Sequence, residues 1–427
     1  MRIVHRTSLS LVAAILSALV AMPAVHCQTF TTIHTFTGTD GANPAAGLVQ
    51  DRDGHLYGTT KNGGPDASVF FQSGTVFKLT RSGEFSTVHS FGILSGDGAS
   101  SFAPLLHDGR GTFYGTTESG GDACEDGGQV TCGTVFKLES DGDESIVHTF
   151  EGGVYTSDDG ANPASGLIAD REGNLYGTTY GGYNGSVAFK LTRTGEETIL
   201  HTFAGGADGN FLYGPLVMDS SGALWGTAYS GGNNTCLREG CGMVFKLEKT
   251  ASGWTETKTF EFNGTDGSHP YAGLTWDPRR QVFYGITQFG GNLNDCYDES
   301  FPAGCGVIFE LDRTGTKETV LYSFTGKADG SFPYANLILD PLGDLYGTTP
   351  LGGDPTCHCG TVFVRTARGT FFTLHTFTGG ADGGYPYGSL LLDMRRLALY
   401  GTTYQGGDLT CEMDGSSGCG TVFAIRP

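Results

Sequence analysis

Seven aspartates, each followed by glycine, recur along the 427-residue chain: Asp40, Asp97, Asp159, Asp208, Asp266, Asp329 and Asp382. Carboxylates gathered from equivalent places around a ring can attract a cation or hydrogen-bond sugar hydroxyls, which makes these seven the candidate ligand-face residues. An aspartate at such a position also caps its own turn by accepting backbone N–H bonds. Because a residue present in every copy of a repeat usually serves that copy, turn capping is the favoured role. A second set, Asp51, Asp108, Asp170, Asp219, Asp277, Asp340 and Asp393, opens a different turn and is expected to act there. His34, His89, His148, His201 and His375 share one equivalent position, where other copies have Lys258 and Tyr322. Such positions stand far apart on a ring, so the histidines are not expected to converge on one ion.

Cysteines are the other reactive residues. Apart from Cys27 they come two per loop: Cys124 with Cys132, Cys236 with Cys241, Cys296 with Cys305, Cys357 with Cys359, and Cys411 with Cys419. Local pairs in even number read as five disulfides of an exported chain. Cys357-His358-Cys359 is the one segment with a metal-ligand look, but two thiols alone do not fill a tetrahedral zinc shell. Whether Cys357 and Cys359 pair with each other stays open, since so short a ring is strained. The acidic loop residues Asp122, Glu125, Asp126, Asp295, Asp298 and Glu299 can hold calcium weakly. No nucleophile–base set, phosphate loop, zinc-protease helix or calcium-loop motif is present. No catalytic, cofactor-binding or metal residue is therefore assigned, and calcium is the only cofactor considered.

The elements that position these residues form a repeat. Leu56-Tyr57-Gly58-Thr59-Thr60 returns with its aromatic at Tyr114, Tyr176, Trp225, Tyr284, Tyr346 and Tyr400, at spacings of 49 to 62 residues. Each copy contains four strand-like pieces joined by glycine turns, as in 47–51, 56–60, 74–79 and 85–91. Four short strands joined by hairpins make one propeller blade. The chain opens on a fourth-type strand, Thr32 to Phe36, and closes on a third-type strand, Gly420 to Ile425. Pairing the two would close a ring and remove an exposed edge. The fold class is all-β: a seven-bladed β-propeller of four-stranded blades, closed by the N-terminal strand on the C-terminal one. The pentapeptide glycine is expected to permit close blade-to-blade contact. The Asp-Gly turns and the cysteine loops are expected to rim one mouth of the central channel.

Residues 1–27 read as a cleaved signal peptide, with Arg2 and Arg6 ahead of the apolar run Leu9 to Met22 and a cut between Cys27 and Gln28. Ala24-Val25-His26-Cys27 also resembles a lipoprotein cysteine, with His26 where a small residue is expected. Residues 28–427 are then a single propeller domain, expected to be a monomer without a transmembrane segment. Losing the two signal arginines takes the formal charge from −20 to −22. That acidity argues against nucleic acid and anionic membranes and suits neutral glycans, cations or simple solubility.

The Leu-Tyr-Gly-Thr-Thr strand, the double glycine, the Gly-Thr-Val-Phe-Lys-Leu strand and the His-Thr-Phe ahead of Asp-Gly resemble the GloVer-type tandem repeats of bacterial exported proteins. These are also described as choice-of-anchor repeats because different sorting segments follow them. No such segment follows the last copy before Pro427, which leaves surface attachment without a basis in sequence. The resemblance implies an exported repeat protein, extracellular, at the cell surface or periplasmic, and carries over no catalytic residue. The expected function is a binding module for a glycan or protein. The alternative is a carbohydrate-active propeller enzyme, glycosidase or lyase, using loop carboxylates as acid and base.

Overall fold

The computed structural model describes residues 28–65, 73–92, 96–121, 132–152, 159–182, 184–232, 236, 239–296, 304–413 and 415–426. The signal-peptide reading, including Cys27, falls outside these residues. Seven four-stranded antiparallel sheets form a propeller, and apart from one 3-10 turn at Gly206–Asp208 no helix occurs among the described residues. Blade 1 runs outwards from the axis as Val49–Gln50, Leu56–Thr60, Thr75–Leu79 and Phe85–Ser90. Blades 2 to 6 repeat that order, ending on outer strands Glu144–Thr149, Glu197–Phe203, Gly253–Glu261, Glu318–Ser323 and Phe371–Thr376.

Blade 7 closes the ring. Its first three strands are Leu391–Asp393, Ala398–Thr403 and Thr421–Arg426, and its outer strand is Thr29–Thr35 from the start of the chain. His34 pairs with Val422 and Thr35 with Thr421, and the Phe36 N–H donates to the Gly420 carbonyl at 3.0 Å. Phe36 and Val422, both fully buried, share one core cluster.

Every pentapeptide glycine lies beneath a phenylalanine of its own blade. Gly58 is paired across the sheet with Phe77, and a Cβ on Gly58 would lie 2.6 Å from the Phe77 ring and 2.7 Å from Leu48. Gly115, Gly177, Gly226, Gly285, Gly347 and Gly401 meet Phe136, Phe189, Phe245, Phe309, Phe363 and Phe423 in the same way. The glycine therefore serves packing within a blade, not the contact between blades expected from sequence. An aromatic ring laid over a strand glycine covers backbone that would otherwise lack packing.

The blade-to-blade tie is made by the next residue. Thr59, Thr116, Thr227, Thr348 and Thr402 donate their hydroxyls to Ala103, Ser165, Ala272, Gly388 and Ala46 carbonyls of the following blade, at 2.8 to 3.3 Å. Thr402 to Ala46 crosses the point of closure, so the last junction is built like the others. In all seven blades the register between third and outer strand shifts by one residue at the same place. A bulge bends the outer strand and re-aims its side chains. Here it lies beside the shared histidine position, as at Val88 ahead of His89.

Candidate functional site

A cavity of about 550 Å³ lies in the axial channel, with a wall drawn from all seven blades. Two positions per blade supply its large side chains. One stands five residues after the Asp of the Asp-Gly pair: Ala45, Phe102, Ala164, Tyr213, Tyr271, Tyr334 and Tyr387 around the ring. The other follows the pentapeptide directly, and there Glu118, Tyr180 and Tyr404 reach the wall. The first position is set by a backbone hub two residues earlier. Asn43, Ser100, Asn162, Phe211, His269, Phe332 and Tyr385 all hold φ between 54° and 58°. For bulky residues such as Phe and Tyr that conformation is an outlier, sustained only where the surroundings dictate it. Hydrogen bonds on both sides do so: His269, for example, donates its N–H to the Cys241 carbonyl at 2.7 Å and accepts from the Gln288 N–H at 3.1 Å.

Around the wall the tyrosines form a continuous aromatic arc. Tyr213 stacks on Tyr271 with centroids 4.5 Å apart, and Tyr271 to Tyr334, Tyr334 to Tyr387 and Tyr387 to Tyr404 are edge-on contacts of 4.6 to 5.4 Å. Tyr180 extends the arc from Tyr213 at 5.2 Å and donates its hydroxyl to Glu118. Gln288 donates to the Tyr334 hydroxyl, and on the other side Lys61 sits 4.9 Å over the Phe102 ring. Asn336 and Ser389 add polar atoms to the wall. Burial, reinforced by neighbouring phenols and, except at Tyr334, by a carboxylate, pushes the Tyr229 phenol up to about 12 and those of Tyr180, Tyr271 and Tyr334 higher still. These hydroxyls therefore remain proton donors throughout the physiological range. Glu118 is the only carboxylate of the wall among the described residues; Glu239 acts on Tyr213 and Tyr229 from behind it.

The seven aspartates are not in this wall. Each accepts a backbone N–H from its own turn, Thr37, Gly92, Glu151, Ala204, Asn263, Thr325 and Thr378 in order, at 2.8 to 3.0 Å. They lie further out, at the blade junctions, where the shared histidines meet them. His34, His89, His201 and His375 contact Asp40, Asp97, Asp208 and Asp382 at 3.0 to 3.2 Å, and Tyr322 takes the same place on Asp329 at 2.9 Å. Burial opposes ionisation of Asp40 and Asp382, but hydrogen bonds from the imidazole and the turn outweigh it and hold both below the ordinary carboxylate value.

A third residue, near the start of the next blade's outer strand, completes each junction. In three junctions it is aromatic and stacks on the ring: Phe85 on His34, Phe30 on His375 and Phe371 on Tyr322, at 3.8 to 4.0 Å. In the other four it is Glu144, Glu197, Glu256 or Glu318, each with one buried oxygen lacking a hydrogen bond among the described residues. Burial, and then the adjacent aspartate charge, raises Glu144 and Glu318 to about 7. These glutamates escaped the sequence reading, as did the channel tyrosines. The signal for both was a fixed register whose occupant changes from copy to copy.

The second aspartates hold their turns on the opposite face. Asp51, Asp170 and Asp219 accept the N–H four residues on at 2.8 to 3.1 Å, and also accept from the pentapeptide aromatics Tyr57, Tyr176 and Trp225. Disulfides join Cys236 to Cys241, Cys296 to Cys305, Cys357 to Cys359 and Cys411 to Cys419. The two cysteines beside His358 are thus joined to each other. Cys132 is bridged too, while Cys124 lies outside the described residues. So do Asp122, Glu125, Asp126, Asp298 and Glu299; Asp295 accepts from Asn292 at 2.7 Å. No helix among the described residues is long and apolar enough to cross a membrane.

Seven four-stranded blades around an aromatic-walled channel define a seven-bladed β-propeller. The Gloeobacter/Verrucomicrobia repeat matches residues 22–124, 122–298 and 298–427, and the chain belongs to that repeat family. No curated protein matches the sequence. Among solved structures, it is similar to the extracellular domain of a putative one-component system from B. thetaiotaomicron, with a TM-score of 0.51 and 10% identity over 92% of this chain. The chain spans only 39% of that one. A putative 6-phosphogluconolactonase from Bacteroides uniformis has a TM-score of 0.49 at 14% identity, covering 82% of this chain and 94% of its own. At such identities the likeness is one of fold alone.

Proposed function

We propose that the protein is an exported saccharide-binding propeller that receives a neutral glycan at the aromatic arc of its axial channel. The observation that carries this reading is the run of six tyrosines, Tyr180, Tyr213, Tyr271, Tyr334, Tyr387 and Tyr404, on one side of a cavity large enough for a sugar. Pyranose rings present C–H groups that pack on the negative faces of aromatic rings, and their hydroxyls need fixed partners. Tyrosine supplies both, with Glu118, Gln288, Asn336 and Ser389 as further polar contacts. The formal charge of −20 favours a neutral ligand over a polyanion. Bridged loop cysteines suit an oxidising compartment outside the cytosol. Catalysis is the weaker reading, because glycoside hydrolysis needs two carboxylates about 5–10 Å apart and among the described residues the wall presents Glu118 alone.

Calorimetric titration with neutral oligosaccharides tests the proposal. Binding that weakens at least tenfold in both Tyr271→Ala and Tyr334→Ala, with both variants still folded by far-UV circular dichroism, is expected. Absence of binding at millimolar sugar, or equal affinity in the two variants, would overturn it.

A further inference from the structure

The junction between blades 2 and 3 differs from its equivalents. Elsewhere the imidazole makes a direct hydrogen bond to its aspartate, or an aromatic ring stacks on it. Here His148 Nε2 stands 3.8 Å from Asp159 Oδ2 and 3.9 Å from Glu197 Oε2. One donor atom from each of the three residues lies within 4.8 Å of the others. His148 Nε2 and Glu197 Oε1 are buried and make no hydrogen bond among the described residues. Two carboxylates and an imidazole, with side chains only 14% to 17% exposed, thus face a common point without touching.

We propose that His148, Asp159 and Glu197 form a binding site for a divalent transition-metal ion of the zinc class. Donors about 2.0–2.2 Å from a tetrahedral ion lie about 3.4 Å from each other, so small side-chain adjustments bring these three into place. Two carboxylates balance the charge of the ion, and a neutral imidazole completes three protein ligands. Water would supply the fourth ligand. The imidazole argues against calcium, which takes six to eight oxygens. Two contacts hold the ligands in place: the Glu151 N–H donates to Asp159 Oδ2 at 2.9 Å, and Phe150 meets the His148 ring edge-on at 4.7 Å.

Two other junctions have the same donor types, His89 with Asp97 and Glu144, and His201 with Asp208 and Glu256. Their imidazoles are already engaged at 3.1 and 3.2 Å. A fourth junction supplies an internal control. Glu318 has the same unpartnered oxygen, but there Phe260, and not the Lys258 expected from sequence, takes the histidine's place.

The test uses tag-free, oxidised protein, stripped of metal and dialysed against micromolar Zn²⁺, with bound metal measured by mass spectrometry. Glu197→Gln and His148→Gln should each lose one equivalent relative to the parent, while Glu318→Gln loses none. Far-UV circular dichroism identifies any variant that fails to fold, and either of the two ligand variants suffices for the reading. A parent that binds no zinc, or folded ligand variants that retain the full complement, would overturn the proposal.

Discussion

Replacing Glu318 by Gln should make the protein more stable in mildly alkaline solution and leave it unchanged in acid. The carboxyl is half-buried, with the Asp266 charge acting on it and the apolar Phe260 where other junctions have a histidine. Burial first, and the Asp266 charge second, raise its pKa from 4.5 to about 7. A group whose folded pKa lies above its unfolded value stabilises the fold below the unfolded pKa, and that contribution is lost as pH rises through the folded one. The window therefore runs from about pH 4.5 to somewhat above 7. At about 1.4 kcal/mol per unit the unscreened effect would be about 3 kcal/mol, and solvent reaching a half-exposed carboxyl reduces it to about 1 kcal/mol. Glutamine is isosteric with the protonated acid and does not titrate. Urea unfolding of parent and variant at pH 4.5, 6, 7 and 8.5 should give curves that coincide at the lowest pH and separate by about 1 kcal/mol at the highest, the variant being more stable. A separation independent of pH, or a less stable variant at pH 8.5, would refute the reasoning.

Other substitutions test the architecture. Gly58→Ala places a methyl 2.6 Å from the Phe77 ring and should cost about 1–3 kcal/mol by overpacking, read as a lower urea midpoint. Thr402→Val removes the hydroxyl that reaches the Ala46 carbonyl at 2.9 Å across the closure, leaving a buried acceptor unpaired at a cost of about 1–3 kcal/mol. Thr348→Val, at an interior junction, should cost a similar amount if the closure is energetically one junction among seven. Removing Cys296 and Cys305 together opens a loop with a sequence separation of 9 and should lower stability by about 2–3 kcal/mol, seen as a fall in melting temperature under oxidising conditions.

The blades and their closure were legible because each blade is written locally, as strand patterns and glycine turns that recur in fixed order. The offset between a fourth-type strand at Thr32 and a third-type strand at Gly420 sufficed to foresee that the two strands pair, but not the register that sets His34 opposite Val422. Turn capping by the seven aspartates was legible for the same reason, since it involves neighbours three to eight residues away. What escaped was the direction in which equivalent positions face. The glycine of the pentapeptide looked like a place for blades to touch, but a cross-strand phenylalanine already occupies it. The channel tyrosines and the junction glutamates lie beside the repeated motifs, not within them. Tyr271 stands where Ala45 stands in blade 1, and Glu197 where Phe85 does. Those alternations have meaning only once the ring brings separate copies face to face.

The closing strand also sets the order of assembly. Thr29–Thr35 finds its partner in Thr421–Arg426, almost the whole chain away. Pairings of such sequence separation form late, because the intervening loop must be brought together first. Until residues near 426 are available, the first strand is an unpaired edge, prone to pair with other chains. During synthesis or passage through a membrane from the N-terminal end, six blades can form while this segment waits. A holding factor that shields extended segments would therefore act on residues 29–35 above all others. The same logic makes an N-terminal fusion partner more disruptive than an insertion at an exposed hairpin turn such as 81–83.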